Sequence, residues 1–359
     1  EKAVFPLFGI GWSTHIAEGL YGGIGLIVQG GMGSDFKSLA TFPDDDPTAP
    51  ISTLPGGALY DTHSQLMYLK LTPTLAYQFA DWLSVGASLH IGFSKLDWSH
   101  GGMQFAEPDG DHLYVPHKVA FDSNWATSVA GRFGIMTSFF DDRLRFGATY
   151  MTRAKFDLSG KLTVDDMLEY DADSDDFGWA QEVSFGAAAR LFDKRLLIAA
   201  DVRWANWSQA VGTVTFDATT RNPSQTPAAL QSLSMPFYMN WEDVLIEAVG
   251  IEFEAMQDRL WVRAGYNHGN SAVTETGISP LFQPISEHQV TAGLGVRIWD
   301  RLTADLAFEW APKNTVKSDA SNQMALEPSV TGVVPDPNNY RMEVSMQHFT
   351  GYLSVGYEF

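Results

Sequence analysis

His348-Phe349-Thr350-Gly351-Tyr352-Leu353-Ser354-Val355-Gly356-Tyr357-Glu358-Phe359 closes the chain with a period-two pattern. Phe349, Leu353, Val355, Tyr357 and Phe359 share one face, and His348, Thr350, Ser354 and Glu358 share the other, because successive side chains of a strand point to opposite sides. A strand apolar on one face, polar on the other and ended by an aromatic residue is how bacterial outer-membrane barrels commonly finish. The same alternation recurs upstream. Leu83, Val85, Ala87, Leu89, Ile91 and Phe93 oppose Ser84, Gly86, Ser88, His90, Gly92 and Ser94. Val290, Ala292, Leu294, Val296 and Ile298 oppose Gln289, Thr291, Gly293, Gly295 and Arg297.

Composition agrees with such a barrel. The length of 359 residues suits two soluble domains, yet all-β barrels of this size form one unit, so the chain reads as a single transmembrane barrel domain over 1–359. Mean hydropathy is −0.10, and no apolar run approaches the roughly 18 residues of a membrane helix. The 11 Trp, 12 Tyr and 23 Phe supply material for two interfacial girdles. The lack of Cys accords with a periplasmic route, where a stray thiol risks wrong disulfides. A formal charge of −20 argues against nucleic acid as a partner.

Connections come in two kinds. Short turns are expected at 17–19, 80–81, 141–143, 193–195, 257–258 and 300–301, and long polar loops near 33–62, 99–122, 163–177, 219–240, 274–286 and 317–343. Their alternation is the pattern of an antiparallel up-and-down barrel with periplasmic turns and extracellular loops. Charges fall on the inward face: Arg132, Arg145, Arg153, Lys155, Arg190, Asp201, Arg203, Glu252, Arg263, Arg297, Asp305 and Glu309. Near the midplane each would cost roughly 2–4 kcal/mol if it faced lipid.

The pattern yields about thirteen strands. Single-chain bacterial barrels use even numbers, and the first strand runs toward a short turn, which predicts an upward strand before it. The expectation is therefore a fourteen-stranded barrel truncated at its N-terminus, lacking its hatch and first strand.

Five segments then resemble the FadL-type family of outer-membrane transporters of long-chain fatty acids and aromatic hydrocarbons. They are Leu71-Thr72-Pro73-Thr74-Leu75-Ala76-Tyr77-Gln78-Phe79 with the hairpin that follows; Leu144–Tyr150 with Leu158-Ser159-Gly160; Arg203-Trp204-Ala205-Asn206-Trp207-Ser208-Gln209; Leu260–Asn267 with Asn270–Val273; and the C-terminal strand. The resemblance implies a hatch-plugged barrel that moves hydrophobic molecules inward without energy input, with capture among the extracellular loops and a sideways exit. The stretch 99–122 is shorter than the family's helical hairpin there, which puts its usual surface groove in doubt.

Candidate ligand-binding residues follow from the loops and the inner charges. Residues 225–241 carry Phe237, Tyr238 and Met239, and 103–115 carry Phe105, Leu113 and Tyr114; such apolar content in a loop suggests a capture surface or a cover packed over the mouth. Arg153, Lys155 and Arg203 are possible partners for a cargo carboxylate, since guanidinium pairs with carboxylate bidentately, unless they pair with Asp201, Asp305 or Glu309. The acidic runs 44–46 and 165–176 read as solvated loops, with calcium as the alternative, and His100, His112 and His117 share one loop without firm metal-ligand spacing. Ser88 and His90 lack a third orienting group, so no catalytic site is expected, and no cofactor. The sequence thus predicts a monomeric passive outer-membrane transporter of hydrophobic small molecules, fatty acids first, surrounded by outer-membrane lipid and lipopolysaccharide. The alternatives are an aromatic-hydrocarbon channel or a general porin for polar solutes.

Overall fold

The computed structural model describes residues 6–40, 59–101, 105–106, 112–113, 118–318 and 343–359. One antiparallel sheet contains nineteen strands, and six of its spans consist of two strands each, so the described residues form thirteen spans. They are β1 (Gly9–Ala17), β2 (Leu20–Ala40), β3 (Leu59–Leu71 and Thr74–Ala80), β4 (Leu83–Gly101), β5 (Lys118–Ser123 and Ala126–Phe139), β6 (Leu144–Met151 and Leu158–Val164) and β7 (Leu168–Ser174 and Glu182–Leu191). Next come β8 (Leu196–Ala205 and Thr213–Thr220), β9 (Ser232–Tyr238 and Val244–Met256), β10 (Leu260–Gly269), β11 (His288–Trp299), β12 (Leu302–Lys317) and β13 (Glu343–Tyr357). Each span pairs antiparallel with the next from β1 to β9 and on to β12 with β13. The edge strands β1 and β13 run in the same direction, and among the described residues neither pairs with the other. No helix among the described residues is long and apolar enough to cross a membrane; the strands cross it.

The tight turns fall where Asp, Lys and Gly cluster. Gly19 takes φ +69° between β1 and β2, and Asp141 and Asp142 (φ 58° and 64°), Asp193 and Lys194 (54° and 70°) and Asp258 (53°) take the left-handed conformation at the other turns. Asp among these residues tolerates that region because its short side chain bonds locally to the backbone.

The spans have two storeys with opposite polarity. In the lower storey the outer face is apolar: Phe133, Ile135, Phe146, Phe185, Ile251, Leu294 and Leu306 are all more than a third exposed, as a lipid-facing surface must be. In the upper storey the inner face is apolar. Leu158, Leu162 and Val164 of β6, Tyr170 of β7 and Val214 and Phe216 of β8 are at most 4% exposed, while Lys161, Asp171 and Asp173 point outward. Residues 152–157 leave the sheet between the halves of β6, and the alternation resumes in the opposite phase. Phe146 and Tyr150 face out below, whereas Leu158 and Leu162, also even-numbered, face in above. Water outside and a packed core inside require that reversal.

Two expectations about loops are corrected here. The stretch 163–177 is a hairpin rather than a long loop: Val164 and Leu168 pair across a turn at Asp165 and Asp166 (φ 52° and 55°), so most of the acidic run lies on paired strand. The segment 270–287 is a strap folded into the barrel mouth, with Ile278 and Ile285 at 0% and Leu281 at 2% exposure.

Candidate functional site

Four consecutive spans, β6 to β9, break at the same height, and the chain between their halves dips into the barrel. Ala154-Lys155 pairs with Gly178-Trp179 beneath the upper storey. Trp207–Ala210 makes one helical turn, and residues 239–243 follow the upper strand of β9. These dips carry Phe156, Phe177, Val211, Met239 and Trp241, all at most 8% exposed, into one cluster with Leu66, Leu96 and Trp98 of β3 and β4. Ring contacts link it: Trp179 to Trp207 at 5.0 Å, Trp207 to Trp241 at 5.4 Å, Trp98 to Phe237 at 4.9 Å and Phe216 to Phe237 at 5.4 Å. Trp179 reaches β2 because Gly30 stands there; a Cβ on Gly30 would lie 2.6 Å from the indole ring.

Inside this cluster lies an apolar cavity, walled by Met32, Leu66 and Leu96 from the barrel, by Trp179, Trp207 and Trp241 from the dips, and by Leu281 and Phe282 from the strap. Its free volume is about 30 Å³, room for about two waters. The indole N–H groups of Trp98, Trp179 and Trp241 are buried without an acceptor, although buried indoles normally find one.

Directly below, the inner face turns cationic. Tyr68 closes the cavity floor, its ring 5.1 Å from both Phe156 and Trp179. Two residues further down β3, Lys70 is 6% exposed and has no hydrogen bond or salt bridge among the described residues. Lys70 aligns with Gly92, and Arg132 aligns with Ser88 on one side and Met151 on the other. Glu182, opposite Met151, is the one carboxylate beside Arg132, at 3.9 Å. His90, at 3% exposure, leaves Nδ1 without a partner among the described residues, as does Arg132 Nε. Two basic side chains thus face a single carboxylate among the described residues in a buried site, an arrangement that favours an anion. Farther round the barrel a space of about 450 Å³ is lined by Asp201, Arg263, Asn267 and Asp305 together with a larger apolar share that includes Leu197 and Ala264. There Arg263 binds Glu252 at 2.7 Å and also Asp305, and Glu309 accepts from Tyr352 at 3.2 Å and pairs with His348.

The expected site residues scatter. Phe237 and Met239 line the cavity; they sit on and just after an upper-storey strand, facing inward rather than forming an exposed capture loop. Tyr238, paired with Thr213, is not in the cavity wall. Phe105 and Leu113 align across a short antiparallel pair, their side chains lying outside the described residues, as does Tyr114 altogether. Arg153 donates to the carbonyls of Asp176 at 3.2 Å and Ala210 at 3.4 Å, and Lys155 pairs with Asp175 at 3.4 Å, both side chains more than half exposed. Arg203 points into the lower lumen, opposite Ser184 and Ile246. Arg153 abuts the cavity wall at Gly178, where a Cβ would lie 2.9 Å from its Nε, while Lys155 and Arg203 are not in that wall. Lys70 and Arg132 stand on the strands that continue below it. Lys70 carried a signal in the sequence, a lone cation between Leu69 and Leu71 within an amphipathic strand. Ser88 bonds Thr74 at 2.7 Å rather than His90. Residues 44–46 and His117 lie outside the described residues, as does the side chain of His112. Among the described residues no group of three His, Cys, Asp or Glu could hold a metal ion.

Solved structures share this fold. The toluene transporter TodX of Pseudomonas putida superposes with a TM-score of 0.72 at 17% identity, covering 98% of this chain and 82% of that one. The toluene transporter TbuX of Ralstonia pickettii gives 0.66 at 16% identity, covering 98% and 81%. A FadL homologue of Pseudomonas aeruginosa gives 0.68 at 15% identity, covering 97% and 77%. No curated protein sequence matches the chain. Residues 55–335 match the family described as outer membrane protein transport protein (OMPP1/FadL/TodX). With most of its length matched and its spans built for lipid below and water above, the chain belongs to that family and is an integral outer-membrane transporter of hydrophobic molecules.

Proposed function

We infer that the cargo is amphiphilic, a long-chain fatty acid rather than a plain aromatic hydrocarbon, and that it passes through the apolar cavity with its carboxylate led toward Lys70 and Arg132. The observation that carries this reading is Lys70, buried and with no hydrogen bond or salt bridge among the described residues, beneath a greasy chamber. A hydrocarbon leaves that ammonium uncompensated, whereas a carboxylate supplies a charge-assisted bond of about 1.5–3 kcal/mol. The three unpartnered indole N–H groups around the cavity also suit a cargo that carries an acceptor.

Uptake by cells lacking their own fatty-acid channel tests the reading, with labelled oleate, labelled toluene and osmotically driven sugar entry in parallel. Oleate entry alone is expected. Toluene entry alone would move the cargo to aromatic hydrocarbons, and sugar entry without either would leave a polar porin. The charged groups Asp201, Arg263 and Asp305 along the inner wall are the feature that favours the porin.

A further inference from the structure

The cavity is too small to hold any cargo with its walls in place, so one wall has to move. Most of its walls belong to strands or to dips held by strands and a helical turn. Leu281 and Phe282 differ: they sit on the strap 270–287, the longest stretch without strand or helix among the described residues. At its neck the strap is fixed by backbone bonds, Gly269 N–H to Glu287 O and Glu242 N–H to Ala272 O, both 2.9 Å. Beyond Gly277 its backbone has one internal bond, Ile285 N–H to Gln283 O at 2.8 Å. Side chains hold its tip. Ser34 on β2 donates to Pro280 O at 2.7 Å, Ser64 on β3 donates to Leu281 O, and Asn314 on β12 donates to Ile285 O at 2.7 Å. The two serine hydroxyls also touch each other at 3.1 Å. The strap therefore crosses the mouth from β10 and β11 to the far side and is latched there by neutral hydrogen bonds from Ser34 and Ser64, Ser34 Oγ also reaching Leu281 O at 3.3 Å.

Such bonds exchange readily with water. The apolar contacts that Leu281 and Phe282 would give up on leaving are of the kind a hydrophobic cargo restores. Segments with few backbone bonds are where local opening concentrates.

We propose that the strap 270–287 is the moving wall of the cargo cavity: cargo takes the place of Leu281 and Phe282, Ser34 and Ser64 form the latch, and Phe282 sets the cross-section admitted. This rests on the reading that the cavity is the route of transport. Because the chain has no Cys, a Ser34→Cys/Pro280→Cys pair can be joined with a short reducible bis-maleimide in cells supplied with labelled oleate. The pair is expected to import oleate at least tenfold more slowly when linked than when unlinked, with recovery on reduction; for each single-cysteine variant, whatever its own rate, import before and after the same treatment should differ less than twofold. Equal import by linked and unlinked protein would overturn the moving wall. If the unlinked protein imports toluene instead of oleate, the fatty-acid reading fails and toluene reports on the same link. Import of neither overturns the transport route and the strap's role with it. Phe282→Ala, which needs no cross-link, should raise several-fold the uptake of a pyrene-tailed fatty acid relative to oleate; an unchanged ratio removes Phe282 as the size-setting residue.

Discussion

Lys70 shows how one residue can oppose folding and serve function. An ammonium at 6% exposure with no hydrogen bond or salt bridge among the described residues loses its hydration and has only a carboxylate shared with Arg132 to offset the loss, which costs several kcal/mol. Methionine matches its length without the charge. Lys70→Met is therefore expected to raise the unfolding temperature in lipid vesicles and to slow oleate uptake roughly tenfold, the equivalent of about 1.4 kcal/mol. Toluene entry should be unchanged. A fall in unfolding temperature would mean that the ammonium is satisfied in the native protein, and unaltered oleate uptake would remove it from the cargo path. Arg132 is a poorer first target, because its removal strands Glu182 at 10% side-chain exposure, and a lone buried carboxylate is itself destabilising.

Among the elements, the strap depends on one close approach. A Cβ on Gly277 would lie 2.0 Å from the carbonyl oxygen of Met239, and because that atom is backbone it cannot turn aside. Thr274 Oγ1 donates to Asn240 O at 3.3 Å beside this crossing, so strap and dip fold as a pair. Gly277→Val is expected to lift the strap without unfolding the barrel. Hydrogen exchange followed by mass spectrometry should show amides in 278–285 exchanging at least tenfold faster while those of Leu144–Met151 keep their protection, as separate opening units do. Uniform loss of protection would show instead that the strap is part of the barrel's cooperative core.

At the scale of the whole molecule, the reversal of polarity between storeys marks where lipid gives way to water. Leu294, 48% exposed on the lower outer face, and Asp173, exposed on the upper outer face, occupy similar pleat positions in opposite solvents. Leu294→Lys should destabilise by about 2–4 kcal/mol, whereas Asp173→Lys should stay within about 0.5 kcal/mol as an ordinary surface change. Urea unfolding in lipid vesicles, followed by tryptophan fluorescence, measures both. Similar costs at the two positions would contradict the boundary drawn between the storeys. β4 makes the same change of polarity within one unbroken strand, Leu89 facing out below and Leu96 and Trp98 facing in above, because there the apolar positions change from odd to even; β6, β8 and β9 keep the parity and turn the backbone over at their dips instead.

Period-two alternation and turn chemistry are local properties, so the sequence by itself determined the barrel, the lipid-facing rows such as Leu294–Val296–Ile298, and the tight turns at Asp141, Asp193 and Asp258. It also showed Phe237 and Met239 as too apolar for a solvated loop, though not which way they face. Only the tertiary structure decided that β6, β8 and β9 reverse phase across their dips, since a six-residue excursion such as 152–157 has no alternation of its own from which the phase could be carried forward. The polar look of 270–287 hid a buried strap, because Ile278, Leu281 and Ile285 find their apolar partners on strands far away in sequence. The choice of Lys70 and Arg132 over Arg153, Lys155 and Arg203 likewise rests on which strands adjoin: a cation's partners come from neighbouring spans, and those are fixed only when the sheet is assembled.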